Sequence, residues 1–305
     1  MFISISSPHQ TRSIDFEASL RSTSASPNPN FLLPQTHLDL EIIGSCRGFI
    51  LLRCSSEFHL WNPSTGLHKQ IPLSPNDSYL DDKYFCYLYG FGYDQSTDDY
   101  LPVTISYEFD TTINNIASHL EFFSLRDNTW KEIEGIDFPY MHSSYGPRVG
   151  SLFNEVIHWL AFRNDISMDV IVGFDLKEKK VLDMHLPDEF DGELKSSGLW
   201  VFGEFLSLWV MKEYKVQIWV MKEYKVHSSW TKTHVVSLDD IPTHSPLCST
   251  KSGDIIGTDD DKVIKYNVKG QWLDSHHYYF NDTGGSDMAL YVESLLSLPA
   301  DNEQA

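Results

Sequence analysis

The sequence predicts an all-β fold, a single β-propeller of six blades, with seven as the other count its spacing allows. Three observations predict it. Apolar runs are short and almost free of helical periodicity; several are apolar on both faces; and a strand–turn–strand unit recurs along the chain. Strands that are apolar on both faces belong to sheets covered on both sides, as in stacked blades, whereas an open sandwich alternates more cleanly.

The clearest runs are Gly48–Arg53, Val156–Phe162, Asp169–Phe174, Trp200–Val210, Asp254–Gly257 and Lys262–Val268, separated by Gly, Asn, Asp, Pro and Ser clusters. The repeat pairs an apolar strand ending near an aromatic residue with a polar turn and a second strand. Its aromatic positions are Trp61, Phe123, Phe174, Trp219 and Tyr266, 45 to 62 residues apart. Propeller blades recur at about 40–50 residues. The polar stretches Ser74–Lys83 and Glu108–Asn115 read as loops that lengthen the first interval. Strand-like stretches in residues 1–20 and 288–298 supply a composite blade, so that N- and C-terminal strands close the last one. Five repeats and that blade make six. Arg21–Pro34 reads as a loop, and residues 1–305 as one domain.

The octapeptide WVMKEYKV occurs at Trp209–Val216 and again at Trp219–Val226. One strand through both copies is too long for a globular sheet. A meander is expected: strand Leu206–Met211, turn Lys212–Lys215, strand Val216–Met221, turn Lys222–Ser228, strand Trp230–Val236.

The formal net charge of −20 disfavours nucleic acid and a basic membrane-surface role. No window is apolar for the roughly 18 residues of a membrane span, and the N-terminus does not read as a signal peptide. Cys46, Cys54, Cys86 and Cys248 form no C-x-x-C pair and read as buried free thiols. A cytoplasmic or nuclear location follows as an expectation. The sequons at Asn76 and Asn281 then read as chance matches.

No zinc-protease, P-loop, dinucleotide or nucleophile-elbow motif is present. Adjacent His276 and His277 point to opposite faces of a strand and cannot chelate one ion together; His158 reads as a core residue. The acidic clusters Asp81–Asp82, Asp98–Asp99, Asp188–Glu193 and Asp259–Asp261 lack the calcium-loop pattern and read as solvated turns. No catalytic, cofactor-binding or metal residue is singled out, and no cofactor is expected. Loop aromatics that could carry recognition are Tyr79, Tyr84, Phe109, Tyr140, Tyr145 and Phe190. The sequence assigns them to no face.

The segments Ile42–Leu52 (IIGSCRGFILL), Leu60–Gly66 (LWNPSTG), Tyr89–Tyr100 (YGFGYDQSTDDY), Ser124–Gly135, Asn154–Phe162, Val170–Lys180 and Trp219–Lys232 resemble the plant F-box-associated interaction domain, in order, over roughly residues 13–299. The resemblance implies a kelch-like propeller that recognises the target protein of a Skp–Cullin–F-box ubiquitin ligase, without catalysis of its own. Two departures stand out. Pro102 in LPVTIS suggests an edge strand or a bulge. The F-box itself, a helical module of about 50 residues, does not fit ahead of residue 13, so the Skp-type adaptor is not expected to bind directly. The alternatives left open are a propeller enzyme, a glycan-binding lectin and a truncated, non-functional paralogue.

Overall fold

The structure, a computed structural model, describes residues 2–6, 10–17, 19–21, 23–25, 41–54, 57–75, 84–110, 115–134, 140–141, 149–213, 215–237, 245–259, 262–277 and 287–298. Among these residues there is no α-helix; regular structure is strand apart from the short 3-10 turns Leu194–Ser196 and His227–Ser229.

The chain opens with β1 (Phe2–Ser6), β2 (Gln10–Ile14) and β3 (Thr23–Ala25). Next, β4 (Glu41–Cys46), β5 (Phe49–Cys54), β6 (Glu57–Trp61) and β7 (His68–Pro72) form a sheet in chain order. So do β8 (Tyr84–Asp94), β9 (Asp99–Asp110), β10 (Asn115–Ser124) and β11 (Thr129–Ile133). The next sheet orders β12 (Tyr140–Met141), β14 (Val156–Arg163), β15 (Met168–Asp175) and β16 (Lys180–His185), with β13 (Ser151–Phe153) also pairing β14. Two more sheets in chain order complete the series: β17 (Ser197–Phe202), β18 (Phe205–Lys212), β19 (Lys215–Met221) and β20 (Trp230–Ser237), then β21 (Ser245–Ser249), β22 (Ile255–Asp259), β23 (Lys262–Tyr266) and β24 (Trp272–His277). Finally β25 (Asp287–Leu290) pairs antiparallel with β1, giving a composite sheet β25-β1-β2-β3.

Five sheets are thus contiguous blades, one per sequence repeat, and each repeat is the third strand, turn and fourth strand of its blade. Among the described residues the blade count is five, and the expected six or seven is corrected. The sixth was to come from the chain ends. Those ends do pair, but as a composite sheet drawn from distant pieces, with strands of three to five residues and no aromatic at the repeat position.

The contacts divide the chain into two compact units, residues 1–70 with 200–296 and residues 71–199 with 297–305. In the first unit, Ile42, Ile50, Leu52, Cys54 and Trp61 pack against Ala289 and Tyr291. Ile14, Phe16 and Leu20 pack against Cys248, Ile256 and Val263. Ile255, Ile264 and Tyr266 pack against Trp200, Trp209, Val216, Ile218, Val220 and Val236. Neighbouring residues such as Ile255 and Ile256 therefore bury opposite faces of one strand, which is why these runs are apolar throughout. In the second unit, Leu88, Val103, Ile105, Leu120 and Phe122 pack against Ile157, Trp159, Val170, Val172 and Phe174. Each such side chain contributes about 1.5–3 kcal/mol of burial.

The turn between third and fourth strands reuses one device. A polar residue directly after the strand's last large side chain accepts a nearby backbone N–H: Asn62 from Ser64 at 2.9 Å, Asp175 from Lys177 at 3.1 Å, Asn267 from Lys269 at 2.9 Å, and Ser124 Oγ from Asp127 at 3.0 Å. These Asx- and Ser-turns end in a left-handed residue, Gly66, Lys179, Gly270 or Asn128.

Several expectations change against this frame. The long first interval comes in part from long strands: β8, β9 and β10 have 11, 12 and 10 residues, and Glu108–Asp110 lie inside β9. Thr23–Ala25 form a strand within the expected loop Arg21–Pro34. Pro102 lies in β9, an interior strand of its sheet rather than an edge. It is tolerated because the β9–β10 ladder runs only to Val103↔Phe122. The Tyr100 carbonyl accepts from Leu125 N on the β10 side, so residue 102, two along, turns its missing donor to that same side, just past the ladder's end. The WVMKEYKV meander is observed: Lys212↔Lys215 close the β18–β19 hairpin and β19 pairs back with β20.

Candidate functional site

Of the loop aromatics, Tyr84, Phe109 and Tyr140 lie in strands β8, β9 and β12, Phe190 is half-buried in a turn, and Tyr79 and Tyr145 lie outside the described residues. His158 is fully buried with Nδ1 3.1 Å from the Ser151 carbonyl, as a core histidine. Cys46 is half-buried, Cys54 and Cys248 are buried, and none of the three is in a disulfide. Burial pushes the Cys46 thiol up to about 11 and that of Cys248 to about 12, far from the reactive thiolate range. Among the described residues no three His, Cys, Asp or Glu side chains stand together as a metal-holding group.

The acidic clusters divide. Residues 188–193 are largely exposed, as a solvated turn should be. Asp81–Asp82 and Asp260–Asp261 lie outside the described residues. The β8–β9 turn differs from the expectation, because Asp94 and Asp99 are buried. Asp94 accepts from Ser96 N at 2.8 Å, Ser96 Oγ at 2.6 Å, Thr97 Oγ1 at 2.8 Å and Lys179 Nζ at 2.7 Å. Burial opposes its charge, but the Lys179 ammonium and the Ser96 and Thr97 donors outweigh it, so the carboxyl sits well below the usual range. Asp99 accepts from Ser124 Oγ at 2.5 Å and Arg126 N at 2.9 Å; here burial wins and its pKa is raised. Arg126 in turn donates from Nη1 to the Thr97 carbonyl at 2.8 Å. This network ties the β8–β9 turn to the β10–β11 and β15–β16 turns. Its donors and acceptors are engaged with one another, which suits a scaffold better than acid–base chemistry. A sequence signal was available: Asp followed by Ser at the second and Thr at the third position marks a self-capped Asx-turn.

In the first unit the side chain of Asn62 is completely buried and holds the stretch after β25, donating from Nδ2 to the carbonyls of Ser294 at 3.0 Å and Leu296 at 3.1 Å. Sequence reading used LWNPSTG as a family-like segment and missed this role. It also missed exposed apolar side chains: Trp272 and Leu273 on β24, Val235 on β20, and Val292 and Leu295 beyond β25. Such side chains offer contact area to another polypeptide.

Comparison with known proteins adds independent findings. A family model described as the F-box associated beta propeller domain matches residues 2–284. The F-box protein CPR1 of Arabidopsis thaliana is 30% identical over 224 residues, 64% of this chain and 52% of that protein. An F-box/kelch-repeat protein of the same plant is 25% identical over 188 residues, 57% of this chain and 49% of its own length. The chain thus spans about half the length of these relatives. Among solved structures, a protein of unknown function from Bacteroides caccae aligns with 94% of this chain and 97% of its own at 8% identity and a TM-score of 0.47.

Proposed function

Because the chain belongs to the F-box-associated β-propeller family, we propose that residues 1–305 act as one protein-recognition domain, the target-binding part of an F-box receptor of a ubiquitin ligase. The observation that carries this reading is the family match over residues 2–284, joined by relatives that are themselves F-box proteins. The described surface is consistent with it. The buried carboxylates Asp94 and Asp99 are engaged in turn-holding hydrogen bonds, and apolar side chains stand out on the strands β20 and β24. The net charge of −20 favours a target with basic segments over a nucleic acid. No described helix is long and apolar enough to cross a membrane.

In this reading the described residues bind the target, and ubiquitin transfer belongs to partner subunits. The described residues hold no α-helix, so they do not themselves supply the helical module that docks an adaptor.

The test uses the full chain, captured from plant extract under proteasome inhibition, with co-purifying proteins identified by mass spectrometry. The chain is then fused behind the F-box module of a relative and added to a reconstituted ligase. A protein that is captured reproducibly and ubiquitinated only in the presence of the fusion supports the proposal. Failure of every captured protein to be ubiquitinated, with the fusion bound to its adaptor, overturns it.

A further inference from the structure

The stretch after β25 is tied to the sheet β4–β7 through side chains rather than strand pairing. Tyr291 is buried among Ile42, Ile50, Leu52, Cys54 and Trp61. Its hydroxyl accepts from Ser64 N at 3.1 Å, contacts Ser64 Oγ and donates to Asn62 Oδ1 at 3.4 Å. Asn62 Nδ2 reaches the carbonyls of Ser294 and Leu296, the third and fifth residues after the tyrosine. Ser64 Oγ accepts from Ser294 N at 3.3 Å, and Ser45 Oγ donates to the Leu290 carbonyl. Gly48, at φ +85°, lies where any added Cβ would collide with Ser294 Cβ. The side chains between these anchors turn outward: Val292 is 76% and Leu295 86% exposed.

We infer that Ser45, Gly48, Asn62 and Ser64 form a peptide-binding seat on the sheet β4–β7, filled in cis by the chain's own Tyr291–Leu296. The seat takes an extended peptide with one tyrosine anchor and a small residue three positions later. It grips by backbone carbonyls and by the tyrosine ring and hydroxyl, in the manner of strand-like peptide recognition. Since Val292 and Leu295 are not gripped, the seat is not tuned to this tail alone. An amide is required at position 62, because a single side chain must donate twice to carbonyls while accepting from Ser64 N.

The test frees the seat in the full chain with Tyr291→Ala and Ser294→Leu and monitors binding of a fluorescent peptide of residues 288–298 by anisotropy. The double variant takes up the peptide, the unaltered chain at least tenfold more weakly because its seat is filled, and the double variant with Asn62→Asp at least tenfold more weakly because two donors are lost. A double variant that unfolds cooperatively yet takes up no peptide, or equal binding with Asn62→Asp, overturns the inference. Asn62→Asp alone keeps the Asx-turn and gives a second measurement. Chymotryptic cleavage after Tyr291 and Leu295 is then at least tenfold faster than in the unaltered chain, with cleavage elsewhere unchanged. Unchanged cleavage at those two sites also overturns the inference.

Discussion

The Asp94–Lys179 contact offers the sharpest test of how the turns of the second unit are held. Asp94 presents a side chain only 1% exposed, and Lys179 one that is 27% exposed, at a nitrogen–oxygen distance of 2.7 Å. Replacing Asp94 with Asn keeps an acceptor for Ser96 N and removes the charge. A hydrogen bond to a charged group contributes about 1.5–3 kcal/mol, and the partial exposure of Lys179 lowers that to about 1–2 kcal/mol. Asp94→Ala removes every acceptor and is expected to cost about 3 kcal/mol. Lys179→Met removes the ammonium from Asp94 and from the Phe122 ring, whose centre lies 5.4 Å from Nζ, and also costs about 1–2 kcal/mol. The two sites touch, so the double variant should fall short of additivity by about 1 kcal/mol. Urea unfolding monitored by tryptophan fluorescence reads this as shifts in midpoint at constant slope. The sign of the pH effect is fixed by the depressed carboxyl. Its contribution is complete above the unfolded value of about 3.9 and is lost as pH falls toward the folded pKa, so Asp94→Asn flattens the acid limb. Additivity within about 0.3 kcal/mol, or an acid limb unchanged in Asp94→Asn, would refute the reasoning.

Four further outcomes are expected. Gly150→Ala places a methyl 2.5 Å from Ile157 Cγ2 and from Trp159 Nε1, and should lower the thermal midpoint with a loss of about 2–3 kcal/mol. Tyr266 buries a hydroxyl that has no partner among the described residues, so Tyr266→Phe should leave stability unchanged or raise it by about 1 kcal/mol; a clear loss in urea unfolding would mean the hydroxyl is satisfied. Burial lowers the pKa of His59 despite Glu57 at 2.8 Å, so the unfolded state binds the extra proton first. Unfolding free energy should then decline as pH falls through about 6.5, and less steeply in His59→Gln. Glu213 is exposed at φ +50° in the β18–β19 turn, and Glu213→Gly should stabilise by about 0.5–1 kcal/mol in the same urea assay.

The sequence carried the β class and the repeat because both are written in local pattern. Runs such as DIIG must bury both faces, and Asn62, Asp175 and Asn267 mark their own turns. The pairing of the chain ends was legible, and Phe2–Ile5 do pair with Asp287–Leu290; the blade count was not, because no local pattern tells a repeat blade from a composite sheet of short strands. Nor did it carry the burial of Asp94 and Asp99. A DxSTDD string reads as a solvated turn until Ser124, Arg126 and Lys179 arrive from the end of β10 and from the β10–β11 and β15–β16 connections. The role of Asn62 was hidden for the same reason, because its partners lie more than 230 residues away.

The duplicated octapeptide shows where local reading ends. In the first copy the chain leaves β18 at Lys212, turns through Glu213 and re-enters β19 at Lys215. In the second it leaves β19 at Met221 and opens into a wider turn, with the left-handed residue now Lys225. The residues just C-terminal to each copy make the difference. After the first copy come Gln217 and Ile218, which pair back at once with Val210 and Trp209. After the second come His227, Ser228 and Ser229. Ser229 Oγ accepts from Glu223 N at 3.1 Å and donates to its carbonyl at 2.8 Å, taking the place of a ladder partner. The tryptophans diverge accordingly. Trp209 joins the cluster against β22 and β23, whereas Trp219 lies outside that cluster with Lys232 Nζ 4.5 Å from its ring centre. Eight identical residues tolerate either turn, and the strand that the next residues can join decides between them.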